Sequence, residues 1–509
     1  MHVPTAIAPS DETARAVIEV VRGKSANLLT SWLGGESANL AQLQFAEANI
    51  STYDTPDDAV RAFLHLVRFQ LNQDLLMETP PSTPTEFKSV TARAHIAIQQ
   101  ALAEGRHTLT EPEAKAILAA YGIPIVETKI ASGTEDAIRA AREIGFPVAV
   151  KIVSPDVSHK SDVGGVALDL ASPAELESAI QSIQGRIDKL CPDAEFKGFA
   201  VQKMARRSGA HELIVGTTTD PVFGPILLFG QGGTAVEAIG DRAVGLPPLN
   251  VTLARELMSR TRVSRLLHGY RDRPAADNKA IELTLIQISQ LIIDIPEIVE
   301  LDINPLLADD NGVLALDARI AIAPATQAGT DRLAIRPYPV ELEESIQLRS
   351  GRKLLLRPIR PEDEPAHYGL FEHLSAEDIR FRFFGMVKKF PQTEMARFTQ
   401  IDYDREMAFI ALVEDEPENN KTLGVVRAIT DFENERAEFA IVVRTDMKGQ
   451  GLGHALLKKM IRYCRDRGYK DMMGEVLANN KAMLNLARSC GFASHPSPEP
   501  DIVEVLLQL

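Results

Sequence analysis

The sequence predicts a multidomain α/β protein, and three observations carry that expectation. Strand-like and helix-like segments alternate along the chain. Proline-rich stretches interrupt them at residues 77–87 and again in "PATQAGTDRLAIRPYP". Near the far end a glycine turn, residues 448–453, joins a β-branched strand to a helix. At 509 residues the chain exceeds one ordinary core, and roughly 100–200 residues per domain suggests three or four units. A hydrophobic content of 45% and a charged content of 25% are those of a folded globular chain. The net charge of -15 argues against a broad nucleic-acid surface. Cys191, Cys464 and Cys490 show no metal-like spacing, which points to a reducing, cytoplasmic setting. No apolar run suits a bilayer, and "MHVPTAIAPSDE" lacks the features of a signal peptide.

In chain order, "ARAVIEVVR" predicts a helix, "ANLLTSWLGG" an apolar strand ending in glycines, and "ESANLAQLQFAEAN" a second helix. Such alternation suggests a parallel sheet, yet residues 1–75 supply too few strands for one, and a missing N-terminal part is expected. Residues 77–105 read as a linker and 106–323 as a long α/β domain. Its first helix, in "TLTEPEAKAILAAYGI", has Thr110 as N-cap, Pro112 in its first turn and Gly122 at its end. "GFPVAVKIVSPDVSHKSDVGGVALDL" ends a strand on Lys151 and enters a polar loop with Gly164 and Gly165. In "LDINPLLADDNGVLALDARI" a hairpin sets Asn304 beside Asp317. Oxygen ligands so placed suit Mg²⁺ carrying nucleotide phosphates, with Lys151 as a fixed positive charge. Singly, each residue reads better as a snorkelling lysine or a solvated turn acid; the combination favours a site.

Residues 324–345 read as a second linker and 346–509 as a last domain. In it a strand over about 437–444 meets the glycine turn, and Leu456, Leu457, Met460, Ile461 and Cys464 then form one helical apolar face. Glycines ahead of a helix N-terminus can aim backbone N–H groups at a pyrophosphate. They can equally make a close turn with no ligand, and the glycines alone leave both readings open.

With "LLLRPIRPED" before it and "NNKAMLNLARSCGF" after it, this domain resembles the GNAT acetyltransferases over about residues 346–509. The resemblance implies an acetyl-CoA pyrophosphate loop at Lys448, Gly449, Gln450, Gly451, Leu452 and Gly453, and a cofactor-side helix starting at Asn480. Strand N–H groups near Val442 would polarise the thioester. The family's usual tyrosine is replaced by Ala487, so the expected acid for the leaving thiolate is missing. Glu438 begins a strand that is apolar on both faces, where burial would raise its pKa towards that of a useful base. The alternative is a solvated glutamate paired with Arg436 or Arg444.

"SPDVSHKSDVGGV", "ELIVGTTTDPVFGPILLFGQGG" and "ELDINPL" resemble the ATP-grasp part of ADP-forming acyl-CoA synthetases. That resemblance implies phosphate contact by Lys151, a nucleotide site lined by Gln202 and Glu212, and Mg²⁺ held by Asn304 and Asp317. His159 would be a phosphoryl-shuttling nucleophile rather than a solvated loop histidine. Residues 1–76 resemble only the end of the flavodoxin-like ligase portion. The order of segments resembles the Pat-type bacterial protein lysine acetyltransferases. It implies direct acetyl transfer from acetyl-CoA to a protein lysine, with Glu438 as base, an AMP-forming acetyl-CoA synthetase as target, and a regulatory ATP-grasp region binding ATP or ADP with Mg²⁺. Nucleic acid and membrane are not expected as partners, and homo-oligomerisation is left open. Two other readings compete: an ADP-forming acyl-CoA synthetase with an accessory GNAT domain, and a ligand-sensing module. No CoA-binding domain or ligase phosphohistidine loop is visible to favour the synthetase.

Overall fold

The computed structural model describes residues 9–23, 28–88, 90–154, 157, 160, 163–192, 194–233, 240–271, 273–327, 329–385, 387, 390–413, 421–431 and 435–509. It forms two compact units, Met1–Glu78 and Thr79–Leu509. No helix among the described residues is long and apolar enough to cross a membrane.

In the first unit, β1 (Leu29–Ser31) and β2 (Ser51–Tyr53) pair in parallel and flank the helix Glu36–Glu47. Trp32, Ala38, Ala41 and Phe45 pack with Ala14 of the helix Ser10–Val21. The apolar strand expected over "ANLLTSWLGG" is only three residues long. Gly34 and Gly35, both at positive φ, turn the chain sharply into the next helix. The helix Pro56–Leu76 is capped by Thr55, whose hydroxyl accepts from the Asp58 N–H at 3.1 Å, but it buries none of its residues.

Among the described residues the second unit contains three sheets. The first has the order β3 (Thr128–Ala131), β6 (Gly198–Lys203), β4 (Val148–Val153), β5 (Val166–Leu170), and is antiparallel throughout. The helices Thr134–Ile144 and Pro173–Leu190 bury Ala137, Ile144, Leu176 and Ile183 against it. The second sheet runs β11 (Gly312–Ala315), β10 (Ile298–Asp309), β7 (His211–Asp220), β8 (Gly224–Gln231), β9 (Arg242–Gly245), with β12 (Arg319–Ile322) also on β10. Its central helix, Asn278–Asp294, is apolar on nearly every side and is buried accordingly. Ala94, Ile98 and Ala101 of the helix Thr91–Ala103 join the same core. That helix lies inside the stretch expected as a linker: its apolar residues fall at i, i+4 and i+7 and make a packing stripe.

The third sheet has the order β13 (Glu344–Gln347), β14 (Lys353–Pro358), β15 (Glu406–Val413), β16 (Gly424–Thr430), β17 (Arg436–Val443), β18 (Asp471–Leu477), β20 (Ile502–Gln508), β19 (Ala493–Pro496). Every pair is antiparallel except β17–β18, and that parallel ladder holds only at Arg436↔Asp471, Ala437↔Met472 and Glu438↔Met473. Beyond Met473, β18 pairs only with β20. The sheet therefore splits beside β17. The Phe439 ring fills part of the split: a Cβ on Gly474 would lie 2.7 Å from its Cε1, so the glycine lets the ring close in. The helix Leu452–Asp466 covers one face through Leu456, Leu457, Met460, Ile461 and Cys464, the stripe its sequence predicts. Ile359, Leu370 and Val442 form a core on the other.

Candidate functional site

Two sites emerge, one on each side of the second linker. The first starts at the helix Glu111–Ala120. Thr110 and Glu113 form a capping box, with the Thr110 N–H donating to Glu113 Oε2 at 2.8 Å. This fixes Glu111 in the first turn with Lys115 one turn later. The Glu111 carboxylate is buried and collects three lysines: Lys115 at 2.8 Å, Lys151 at 3.0 Å and Lys160 at 2.5 Å. Lys115 also donates to Gln202 Oε1 at 3.1 Å and to Thr128 Oγ1 at 3.2 Å, and Lys151 reaches Asp317 Oδ2 at 3.2 Å. Among the described residues, three ammonium groups face two carboxylates, an excess of one positive charge at a buried carboxylate. Burial opposes ionisation of Glu111, but Lys151, Lys115 and Lys160 overcome it and hold its carboxyl well below the usual range. The lysines diverge. Burial pushes Lys115 down, whereas for Lys151 the attraction of Glu111 and Asp317 outweighs burial and pushes it up.

Lys151 thus lies inside β4 and is buried, not at a strand end as expected, because Ile152 and Val153 continue the ladder with β6. Asn304 lies on β10 and its Oδ1 accepts from the Gly233 N–H at 3.4 Å. Asp317 falls just past the end of β11, so it belongs to the connection into β12 rather than to the hairpin strand expected. Among the described residues no group of three or more His, Cys, Asp and Glu side chains could hold a metal. Asn304 on β10 and Asp317 in the connection from β11 to β12 supply oxygens. Nearby Asp302 is pushed up to about 6 by burial and by Glu300 and Asp317, an acid-rich corner that a cation would relieve. Glu212 lies on β7 against Gly233, where a Cβ would meet its Oε2 at 2.2 Å, and makes no contact with the lysines. Gln202 does join them. His159 lies outside the described residues.

The second site is the cleft of about 530 Å³ at the split sheet, lined by Glu438 to Val443, the glycine turn, Gly474 to Val476 and Asn480. Gly449 (φ +73°) and Gly451 (φ +89°) hold the left-handed conformations that turn the chain into the helix Leu452–Asp466. The helix N-terminus and its free N–H groups therefore border the cleft, as a pyrophosphate cradle requires. Lys448 and Gln450 do not extend freely. Lys448 pairs with Asp378, and Gln450 Nε2 donates to the Asp446 carbonyl at 3.0 Å. Asp378 is buried and also accepts from Thr445 Oγ1 at 2.7 Å and Ser375 Oγ at 2.8 Å. Burial would raise its pKa, but these bonds and the Lys448 charge hold it below the usual carboxylate value. Asn480 caps the next helix through Met483 N–H at 3.1 Å, and the side chain of Val442 is buried, leaving its backbone on the cleft. Glu438 lines the cleft but is exposed, so the burial invoked to tune it as a base is absent: the ladder between β17 and β18 ends at this residue.

Sequence reading missed Glu111, Lys115, Lys160, Asp378 and Arg382. The i,i+4 spacing of Glu111 and Lys115, and the "SAED" capping box around Asp378, carried usable signals. No local pattern marked Arg382.

Residues 100–322 match the ATP-grasp domain family and residues 373–492 the acetyltransferase (GNAT) family. The β subunit of an ADP-forming acetate–CoA ligase from Pyrococcus furiosus is 37% identical over 231 residues, 45% of this chain and 98% of that one. An ADP-forming 4-hydroxybutyrate–CoA ligase from Nitrosopumilus maritimus is 32% identical over 324 residues, 63% of this chain and 46% of that one. An acetyltransferase from Pseudomonas aeruginosa is 32% identical over 162 residues, 32% of this chain and 86% of that one. The chain thus spans about half the length of the longer ligases it matches. These ligases overturn the expectation of a protein lysine acetyltransferase directed at an AMP-forming synthetase and favour the competing synthetase reading. Through its ATP-grasp part, with a GNAT domain following it, the chain belongs to the ADP-forming CoA ligase family.

Proposed function

We propose that the chain is the nucleotide-binding part of an ADP-forming acyl-CoA ligase, joined to a domain that binds acyl-CoA. The overall reaction would convert a carboxylic acid, CoA and ATP into acyl-CoA, ADP and phosphate. The observation that supports it most is the cluster of Lys115, Lys151 and Lys160 on Glu111, because an excess of positive charge among the described residues there calls for a polyanion. Lys151 and Lys160 would turn part of their hydrogen-bonding capacity to the phosphates while Glu111 keeps them aligned. Asn304 and Asp317 would hold Mg²⁺, which supplies charge neutralisation at the phosphates, the remaining ligands being phosphate oxygens and water. Gln202 would border the same pocket and Glu212 its Gly233 side. His159 keeps its proposed phosphoryl-transfer role only as an expectation from sequence.

In the GNAT domain, acetyl-CoA would place its pyrophosphate on the N–H groups of residues 449–453 and its pantetheine arm along the open edge of β17 near Val442, with Asn480 on the facing wall. Glu438, at the cleft, would take the proton of an amine acceptor. The test supplies the chain with acetate, CoA and MgATP, follows ADP and acetyl-CoA, and measures MgADP binding on the same preparation. Binding that is weakened in Lys151→Met supports the reading; a chain that binds no adenine nucleotide contradicts it.

A further inference from the structure

The cleft of the GNAT domain is lined by a cation that lies outside the glycine turn proposed for the pyrophosphate. Arg382, on the helix Ala376–Phe383, lines the cleft and is half-buried. Among the described residues no carboxylate stands within ion-pair distance of it, and its close neighbour is the Phe383 ring, 4.9 Å from its guanidinium carbon. The arginine beside it is differently placed: Arg427 pairs with Glu406 and donates to the Phe398 carbonyl. Burial pulls Arg382 below the ordinary guanidinium range, with the Glu438 charge working against that pull, and both residues line the cleft. His367, buried behind them, is pushed down to about 3 by burial and by both arginines, and so contributes no charge. A half-buried guanidinium with no described carboxylate at ion-pair distance gains most from an anion that arrives from solution. The same cleft offers the carboxylates of Glu377, Glu438 and Glu475 to an ammonium group.

We propose that the acceptor of this domain is an amine carrying its own anionic group, of which a free amino acid is the simplest, with Arg382 holding the anion and Glu438 facing the ammonium. The proposal rests on the reading of the cleft as an acyl-CoA site. In the transfer the acceptor's C–N bond forms as the C–S bond of the thioester breaks. The ammonium gives up two protons, one passing through Glu438 to solvent and one ending on the sulfur of CoA.

The test uses the full chain and Arg382→Gln with acetyl-CoA and the free amino acids, each beside its amide and its decarboxylated amine. CoA thiol release and product mass are followed, and acetyl-CoA binding is measured by calorimetry. The expected result is at least one amino acid acetylated with kcat/KM about ten-fold or more above its amide and amine. Arg382→Gln should raise the KM for that amino acid by a similar factor of about ten and leave the Kd of acetyl-CoA unchanged within about two-fold. Arg382→Lys should recover part of the loss. The proposal is overturned if the amides or plain amines, polyamines included, react as well as the zwitterions. It is overturned equally if Arg382→Gln leaves the preference intact, or if no amino acid is acetylated by a chain that still binds acetyl-CoA. A chain that binds no acetyl-CoA overturns both the proposal and the reading beneath it.

Discussion

Under the proposed function, the lysine cluster and the split-sheet cleft would solve one problem, the binding of a phosphorylated ligand, by different physical means. The first gathers charged side chains from positions 111, 115, 151, 160 and 317 around one buried carboxylate. The second is built mainly from backbone: a strand whose neighbour leaves it after Glu438, and two glycines at positive φ ahead of a helix. Electrostatics in the first is strong and tied to stability. In the second, backbone geometry would do most of the binding. Removing the shared carboxylate should therefore destabilise the first site, whereas substitutions should merely loosen the second.

The largest effect should come from Glu111→Gln, which leaves three lysines without their shared anion. Breaking a buried ion pair costs about 3–5 kcal/mol, and denaturant unfolding should show a loss of that size. Glu438→Gln, at an exposed carboxylate, should change stability by no more than about 0.5 kcal/mol. Equal losses in the two variants would erase the contrast. The pH dependence follows from the same pair. The folded-state pKa of Glu111 is depressed, so its contribution is complete above the unfolded value of about 4.3 and fades as pH falls below it. Acid unfolding of the wild type should steepen below about pH 4, and Glu111→Gln should flatten that limb.

Next in size, Lys151→Met should weaken MgADP about ten-fold or more, since a charge-assisted hydrogen bond is worth about 1.5–3 kcal/mol, while acetyl-CoA binding stays intact. Gly451→Ala should cost about 1–2 kcal/mol in stability and weaken acetyl-CoA, because alanine resists φ near +89°. Gly453→Ala, whose new Cβ meets only side chains, Leu486 Cδ2 at 3.3 Å and Val443 Cγ2 at 3.8 Å, should do less. The smallest effect is expected from Asp378→Asn. It frees Lys448 for the pyrophosphate and removes a nearby negative charge, so acetyl-CoA should bind about two- to five-fold more tightly at low salt and less so at high salt.

The same contrast explains what was legible in the sequence. The strand, the glycine turn and the apolar stripe from Leu456 to Cys464 lie within thirty residues or so, and local periodicity reports them directly. The parallel pairing that stops at Glu438 depends on β18 and β20, more than thirty residues further on, and so the exposure of Glu438 was not legible. At the lysine cluster Lys151, Gln202 and Asp317 stood out. Glu111, Lys115 and Lys160 did not, because only the folding of two sheets and a helix brings them together. The helix Thr91–Ala103 was hidden for a simpler reason: proline-rich sequence before it outweighed the modest stripe of Ala94, Ile98 and Ala101.

The central claim, a nucleotide site distinct from an acyl-CoA site in one chain, is tested most directly by calorimetric titration of MgADP and of acetyl-CoA into the wild type and Lys151→Met. The account predicts that the wild type binds both and that the variant loses MgADP while keeping acetyl-CoA. Binding of MgADP that is unaffected by Lys151→Met, or no MgADP binding by the wild type, would contradict it.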